Sequence, residues 1–233
     1  MRICGLAVWP DARDLTPAVR TAAVANLISA DDPSCVDEAV HLLHEGQIVS
    51  YPTDTAYGLG VAAGNDAAVR RLYAVKGRQL DKPLPLLIAD PAAASWLAEV
   101  TPAARALITR FWPGALTIVM NKLPEFRSLA LAKQDKIALR VPDHNLAREI
   151  IHRLGQPITG TSANRAGGRT PVSAAEVAFQ MGDMVALVID GGPARRGVES
   201  TVIDITVTPP AILREGAVSR DDIRQALGGK EVA

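Results

Sequence analysis

Two short stretches of this chain carry the residue types that could do chemistry. Residues 76–82 read KGRQLDK and place Lys76, Arg78 and Lys82 within seven positions. Residues 157–164 read PITGTSAN, an apolar run ending in small residues with a hydroxyl, Ser162, and an amide, Asn164, two apart. A lysine is a compact charge and an arginine a flat fork, and together they suit phosphate oxygens. Small residues at the end of an apolar run let backbone amides approach a ligand. The pair of stretches points to a pocket for a phosphorylated nucleotide. Taken singly, the first also fits a solvated helix end, where cations favour the C-terminal dipole. The second also fits an ordinary Ser/Asn turn.

Other polar positions punctuate apolar runs. Residues 51–60, YPTDTAYGLG, bring Thr53, Asp54 and Thr55 to a strand end, followed by Gly58 and Gly60. Strand ends are where α/β proteins usually bind ligands, although a capped turn fits the same spacing. Arg140 interrupts the apolar stretch KIALRVPDH (136–144). If buried, it needs a carboxylate from protein or ligand; on an edge strand it could face solvent. Arg214 closes the run AILR (211–214) and could reach a phosphate. His41 and His44 are three apart with no third ligand evident, so they read as a surface feature. No Ser-His-Asp order, Walker-type loop or GxGxxG is present.

These residues need a scaffold, and its elements are legible. Apolar spacing predicts a helix over 35–45, stopped by Gly46. Asn65 caps a helix to about Val75. Thr101 followed by Pro102 opens one to about Phe111. Ser173 with Glu176 forms a capping box for a helix to about Met181. Ser219 starts a last helix ending at Gly228-Gly229. Residues 47–51, 84–88, 115–120, 136–141, 185–189, 201–205 and 211–214 read as strands. Several late strands are joined by connections too short for a crossover helix. The fold class is therefore α/β, a mixed parallel and antiparallel sheet with helices on its faces. Residues 1–33 read as an N-terminal extension, with a short helix over 17–28, and residues 34–229 as the main domain that carries these motifs.

The 233 residues fit one large domain or one and a half small ones. Formal net charge is zero and aromatics make up 4%, which argues against a globally basic, base-stacking RNA-coating protein. The two cysteines, Cys4 and Cys35, form no C-x-x-C pair, so a structural zinc site is not expected and a reduced cytoplasmic protein is. No apolar run reaches the ~20 residues of a membrane span, and no secretory signal is evident.

The motifs YPTDTAYGLG, KGRQLDKPLPLLI, FWPGALTIVM, IALRVPDH, ITGTSAN, GVESTVIDI and ILREGAV occur in this order. In that order they resemble the YrdC domain family, whose central members are threonylcarbamoyl-AMP synthases, over about residues 35–225. The resemblance implies a twisted mixed sheet around a concave basic cavity. It also implies a reaction in which L-threonine, bicarbonate and ATP, with Mg2+, give threonylcarbamoyl-AMP and pyrophosphate. Partner proteins would then use the product to modify tRNA, and direct contact with tRNA or double-stranded RNA is a further expectation; a membrane partner is not.

Residue by residue, Lys76 and Arg78 match the family's K-x-R, and Ser162 and Asn164 its S-x-N, around the phosphates and the reacting carbamate. Lys82, Thr117, Gly160, Thr170 and Arg214 match nucleotide-side positions. Thr55, Arg140, Ser162 and Ser200 match threonine contacts, Arg140 with the carboxylate. Some relatives carry a threonine-binding histidine where this chain has Leu87. The chain stops after the YrdC-like part and so resembles the short form of the synthase. The competing readings are an RNA-binding ribosome or tRNA maturation factor without turnover, and a carbamoyl-transfer module like that of hydrogenase maturation proteins.

Overall fold

The computed structural model describes residues 26–233. Most of the expected 17–28 helix, and Cys4, lie outside these residues. The described end of that stretch is not helical: Asn26–Ser29 form strand β1. It pairs in parallel with 187–190, so sheet pairing overrides local helical preference there.

In chain order, β1 is followed by helix α1 (Cys35–His44), strands β2 (Val49–Tyr51) and β3 (Gly58–Gly60), helix α2 (Asp66–Lys76) and strand β4 (Leu86–Leu87). Helix α3 (Pro102–Phe111), β5 (Leu116–Asn121), β6 (Lys136–Arg140), α4 (Asn145–Leu154), β7 (Ile158–Thr159) and β8 (Thr161–Ser162) follow. The chain closes with α5 (Ala174–Met181), β9 (Leu187–Asp190), β10 (Thr201–Asp204), β11 (Ala211–Arg214) and α6 (Arg220–Ala226). The expected single sheet is in fact two. One runs β1-β9-β2-β3-β8 and the other β11-β10-β5-β6-β4-β7, and both mix parallel and antiparallel pairs.

Local chemistry sets the helix ends. Asn65 accepts from Ala68 N at 3.0 Å, and Thr101 from Ala104 N at 3.2 Å. Ser173 caps α5 by accepting from Glu176 N at 3.3 Å. The reciprocal half of the expected box moves one residue upstream, because Glu176 accepts from Val172 N at 2.7 Å. Helix α4 is absent from the expectation above. Its capping position, His144, makes no side-chain cap bond, which removes the usual start signal. Its periodicity is nonetheless plain, with Ala147, Ile150, Ile151 and Leu154 buried and Gly155 in the left-handed region behind them.

Strand alternation divides the two sheets between core and cavity. In β9, Leu187 and Ile189 join one apolar cluster with α1 and α4, while Val188 points into the main core. The second sheet buries one face, through Ile118, Leu139 and Ile203, in that main core. Its other face carries Thr117, Arg140 and Ser200. That face is one wall of a cavity lined by both sheets.

Candidate active site

A cavity of about 530 Å3 lies between the two sheets. Lys76, Arg78, Arg140 and Arg214 line it, with Glu199 as the carboxylate among them. Thr55, Thr117, Gly160, Ser162, Asn164 and Ser200 line it too. Two expected positions fall outside the lining. Lys82 is exposed and contributes its carbonyl, which accepts from Tyr73 Oη at 2.7 Å and Arg78 Nε at 3.3 Å. Thr170 donates to Glu199 Oε1, a lining residue, at 3.4 Å. His41 and His44 are exposed on the last turn of α1.

Lys76 reaches the cavity because of how α2 ends. Gly77 adopts φ 63°, which lets Arg78 N bond back to Tyr73 O at 3.0 Å and Gly77 N to Ala74 O at 3.1 Å. The chain reverses there and Lys76 is left facing inward, 4% exposed. Its ammonium donates to Ser162 O at 2.6 Å, Asn164 O at 2.9 Å and Asn164 Oδ1 at 3.3 Å. The two stretches that open the sequence argument are thus bonded to each other. Burial, and then the nearby Arg78 charge, push the Lys76 pKa down to about 8, with Glu199 opposing. Asn164 accepts from Ser162 Oγ at 2.6 Å and donates to Gly168 O at 2.5 Å, which fixes the loop.

Gly160, between β7 and β8, is required by close approach. A Cβ there would sit 2.8 Å from Leu87 Cδ2. Leu87, where some relatives were expected to carry histidine, is buried and lines the same cavity.

Arg140 is 6% exposed and sits on the interior strand β6, which settles the choice against a solvent-facing edge position. Its Nε donates to Gly114 O at 2.8 Å, Nη1 to Thr55 Oγ1 at 2.9 Å and Nη2 to Asp54 Oδ1 at 2.5 Å. The partner that burial demanded is therefore a protein carboxylate, Asp54, itself 1% exposed. Burial pulls the arginine pKa down and Asp54 pulls it back. Asp54 is the residue that sequence reasoning passed over. The available signal was a carboxylate beside Thr55 in one motif and a lone arginine needing one in another.

The fourth cation is also prepaired. Arg214 Nη1 donates to Glu199 Oε2 at 2.5 Å, and Nη2 to Ser200 O at 2.8 Å and Ser200 Oγ at 3.0 Å. Ser200 and Thr117 hydroxyls are 2.9 Å apart. Among the described residues, no group of three or more His, Cys, Asp or Glu could hold a metal ion. The lining carboxylate is committed to Arg214, so these side chains do not fit a protein-held magnesium cage.

Two sheets of an α/β fold enclosing a cavity lined by four cations, of which Lys76 and Arg140 are buried, with hydroxyls and one amide loop, define a pocket for a small, highly anionic ligand. The Sua5/YciO/YrdC family model, described as telomere recombination, matches residues 41–216, and the chain belongs to that family. A Bacillus subtilis relative named threonylcarbamoyl-AMP synthase is 39% identical over 207 residues, 88% of this chain and 60% of that protein. A Pyrococcus abyssi relative of the same name is 40% identical over 191 residues, 82% of this chain and 56% of that protein. The crystal structure of P. abyssi Sua5 complexed with L-threonine superposes with a TM-score of 0.83 at 36% identity. The superposition covers 90% of this chain and 62% of that one. The chain thus spans about 60% of the length of these relatives.

Proposed function

We propose that this chain forms threonylcarbamoyl-AMP and pyrophosphate from L-threonine, bicarbonate and ATP. The observation that carries the reading is that residues from seven separate motifs meet in one cavity, with cations on opposite walls. The threonine carboxylate lies at Arg140 and Thr55, with Ser200 nearby. The triphosphate lies among Arg78, Arg214 and the Lys76-bound loop, with backbone approach at Gly160. The threonine amine attacks CO2 derived from bicarbonate; a C–N bond forms and a proton leaves, giving a carbamate. A carbamate oxygen attacks the α-phosphorus, and the bond to the β-phosphate bridging oxygen breaks, releasing pyrophosphate.

The protein's part is to position two anions and neutralise developing charge. Magnesium accompanies ATP on its phosphates, and no protein nucleophile is needed. The intermediate then passes to tRNA-modifying partner proteins. Mass spectrometry of the mixture of chain, ATP, bicarbonate and threonine tests the reading. The expected product is threonylcarbamoyl-AMP; hydrolysis of ATP without it would sink the assignment.

A pH profile gives a second check. Lys76 carries its charge below about pH 8 and loses it as pH rises through that value. Because the charge neutralises phosphate, kcat/KM for ATP is expected to fall as pH rises past about 8. The Lys76→Arg variant, whose side chain does not titrate there, should lack that limb whatever its absolute rate. A wild-type profile flat from pH 7 to 9 would contradict the role.

A further inference from the structure

Among the described residues, the four cations of the cavity are satisfied in different ways. Lys76 is bonded to three neutral oxygens. Arg78 donates to the carbonyls of Lys82 at 3.3 Å and Pro83 at 2.9 Å. Arg140 pairs with Asp54, which is buried and lies outside the cavity lining. Arg214 differs, because its carboxylate partner, Glu199, stands in the lining beside it. An anionic ligand that reaches Arg214 therefore meets a fork already holding an anion.

Glu199 is not what keeps Arg214 in place. Arg214 Nε and Nη2 donate to Ser200 O at 3.1 and 2.8 Å, and Nη2 also to Ser200 Oγ at 3.0 Å. These bonds pin the guanidinium on neutral oxygens, and Nη1 is the nitrogen turned to Glu199. The Glu199 backbone is fixed as well, since Ala217 N donates to its carbonyl at 3.0 Å. Its carboxylate is held loosely by comparison. Besides Arg214 it has a long bond from Thr170 Oγ1, at 3.4 Å. The side chains of Arg214 and Glu199 are 43% and 36% exposed, so water screens the pair and its net worth is small. Exchange of that carboxylate for a phosphate oxygen needs only a side-chain rotation.

We propose that Glu199 is a stand-in for phosphate at Arg214: it neutralises the fork between turnovers, yields it to a phosphate group of the nucleotide, and reclaims it as pyrophosphate leaves. The proposal rests on the cavity being the ATP site, and it adds a release function to that reading. A cavity of four cations would retain free pyrophosphate, yet turnover requires that it go. A carboxylate tethered beside the fork competes at high effective concentration and repels the departing anion. Its charge also reaches Lys76, where it opposes the fall in that ammonium's pKa.

Calorimetric titration of the full chain with inorganic pyrophosphate, first without magnesium and then with it, tests the stand-in apart from the reaction. Glu199→Gln keeps the shape and an acceptor for Thr170 but removes the charge. It is expected to tighten pyrophosphate binding about fivefold, with and without magnesium. In an Arg214→Gln background the same change should gain less than about twofold, which locates the effect at the fork. The pair is exposed, so Glu199→Gln should keep the wild-type thermal midpoint. A purely structural Glu199 would give the opposite sign, because a loosened Arg214 binds anions less well. Unchanged or weaker pyrophosphate binding in Glu199→Gln overturns the proposal. Weakening confined to the magnesium titration assigns Glu199 to the metal and overturns it too. In turnover, inhibition by added pyrophosphate should strengthen by the same factor. If pyrophosphate binds as expected but no threonylcarbamoyl-AMP forms, the reaction reading falls and the stand-in holds.

Discussion

Arg140→Ala is expected to lower the free energy of unfolding by about 3–5 kcal/mol, the cost of stranding one member of a buried ion pair. Arg140 bridges Gly114 O, Thr55 and Asp54 from the interior of the second sheet. Without it, the Asp54 carboxylate stays buried, with Asp143 N donating to Oδ1 at 3.1 Å and Arg196 Nε 3.8 Å from Oδ2. Arg140→Lys should recover little, because one ammonium cannot reproduce a fork spanning three acceptors. Asp54→Asn in the Arg140→Ala background should recover part of the loss by removing the stranded charge. Urea unfolding measures all three, and a loss below about 1 kcal/mol for Arg140→Ala would refute the account. Sequence alone suggests that this substitution chiefly raises the Michaelis constant for threonine. The ion pair adds a stability loss, so threonine kinetics must be measured well below the variant's own midpoint.

Lys76→Ala should reduce turnover by about 10^2–10^3, comparable to removing one oxyanion-hole donor. Two effects combine. The cavity loses a buried positive charge, and the Ser162–Asn164 loop loses the ammonium that holds two of its carbonyls and one side-chain oxygen. The fold should survive, because the substitution removes a desolvated cation and leaves the apolar contacts of α2 intact. Pyrophosphate release at saturating ATP and threonine reads the loss, and near-wild-type turnover would exclude Lys76 from the machinery. Ordered far-UV and near-UV dichroism in the same sample separates this result from unfolding.

Most helices and strands were legible because their signals are local. Thr101-Pro102 and Asn65 cap helices within three residues of themselves, and β9 lies in the continuous apolar run VALVI (185–189). Strands β3 and β8 escaped because glycines and a two-residue length carry no periodicity, whereas β7 falls on the apolar start of the 157–164 stretch. They exist through pairing: β3 bonds to β2 and β8, and Gly58 and Gly60 admit the Tyr51 ring where a Cβ would clash at 2.9 and 2.6 Å. The division into two sheets was hidden for the same reason.

The sequence by itself determined which residue types serve the site, because charge and hydroxyl chemistry is carried by each side chain wherever it lies. Lys76, Arg78, Thr55, Arg140, Ser162, Asn164, Ser200 and Arg214 were all named from spacing and resemblance, and all line one cavity. Only the tertiary structure decided what each cation already holds. Lys76 is bonded to the loop opposite, Arg140 to Asp54, and Arg214 to Glu199. Those partners lie between 15 and 88 positions away along the chain. A buried charge takes the nearest acceptor in space, and spatial nearness at such separations is set by sheet pairing and core packing, not by local sequence.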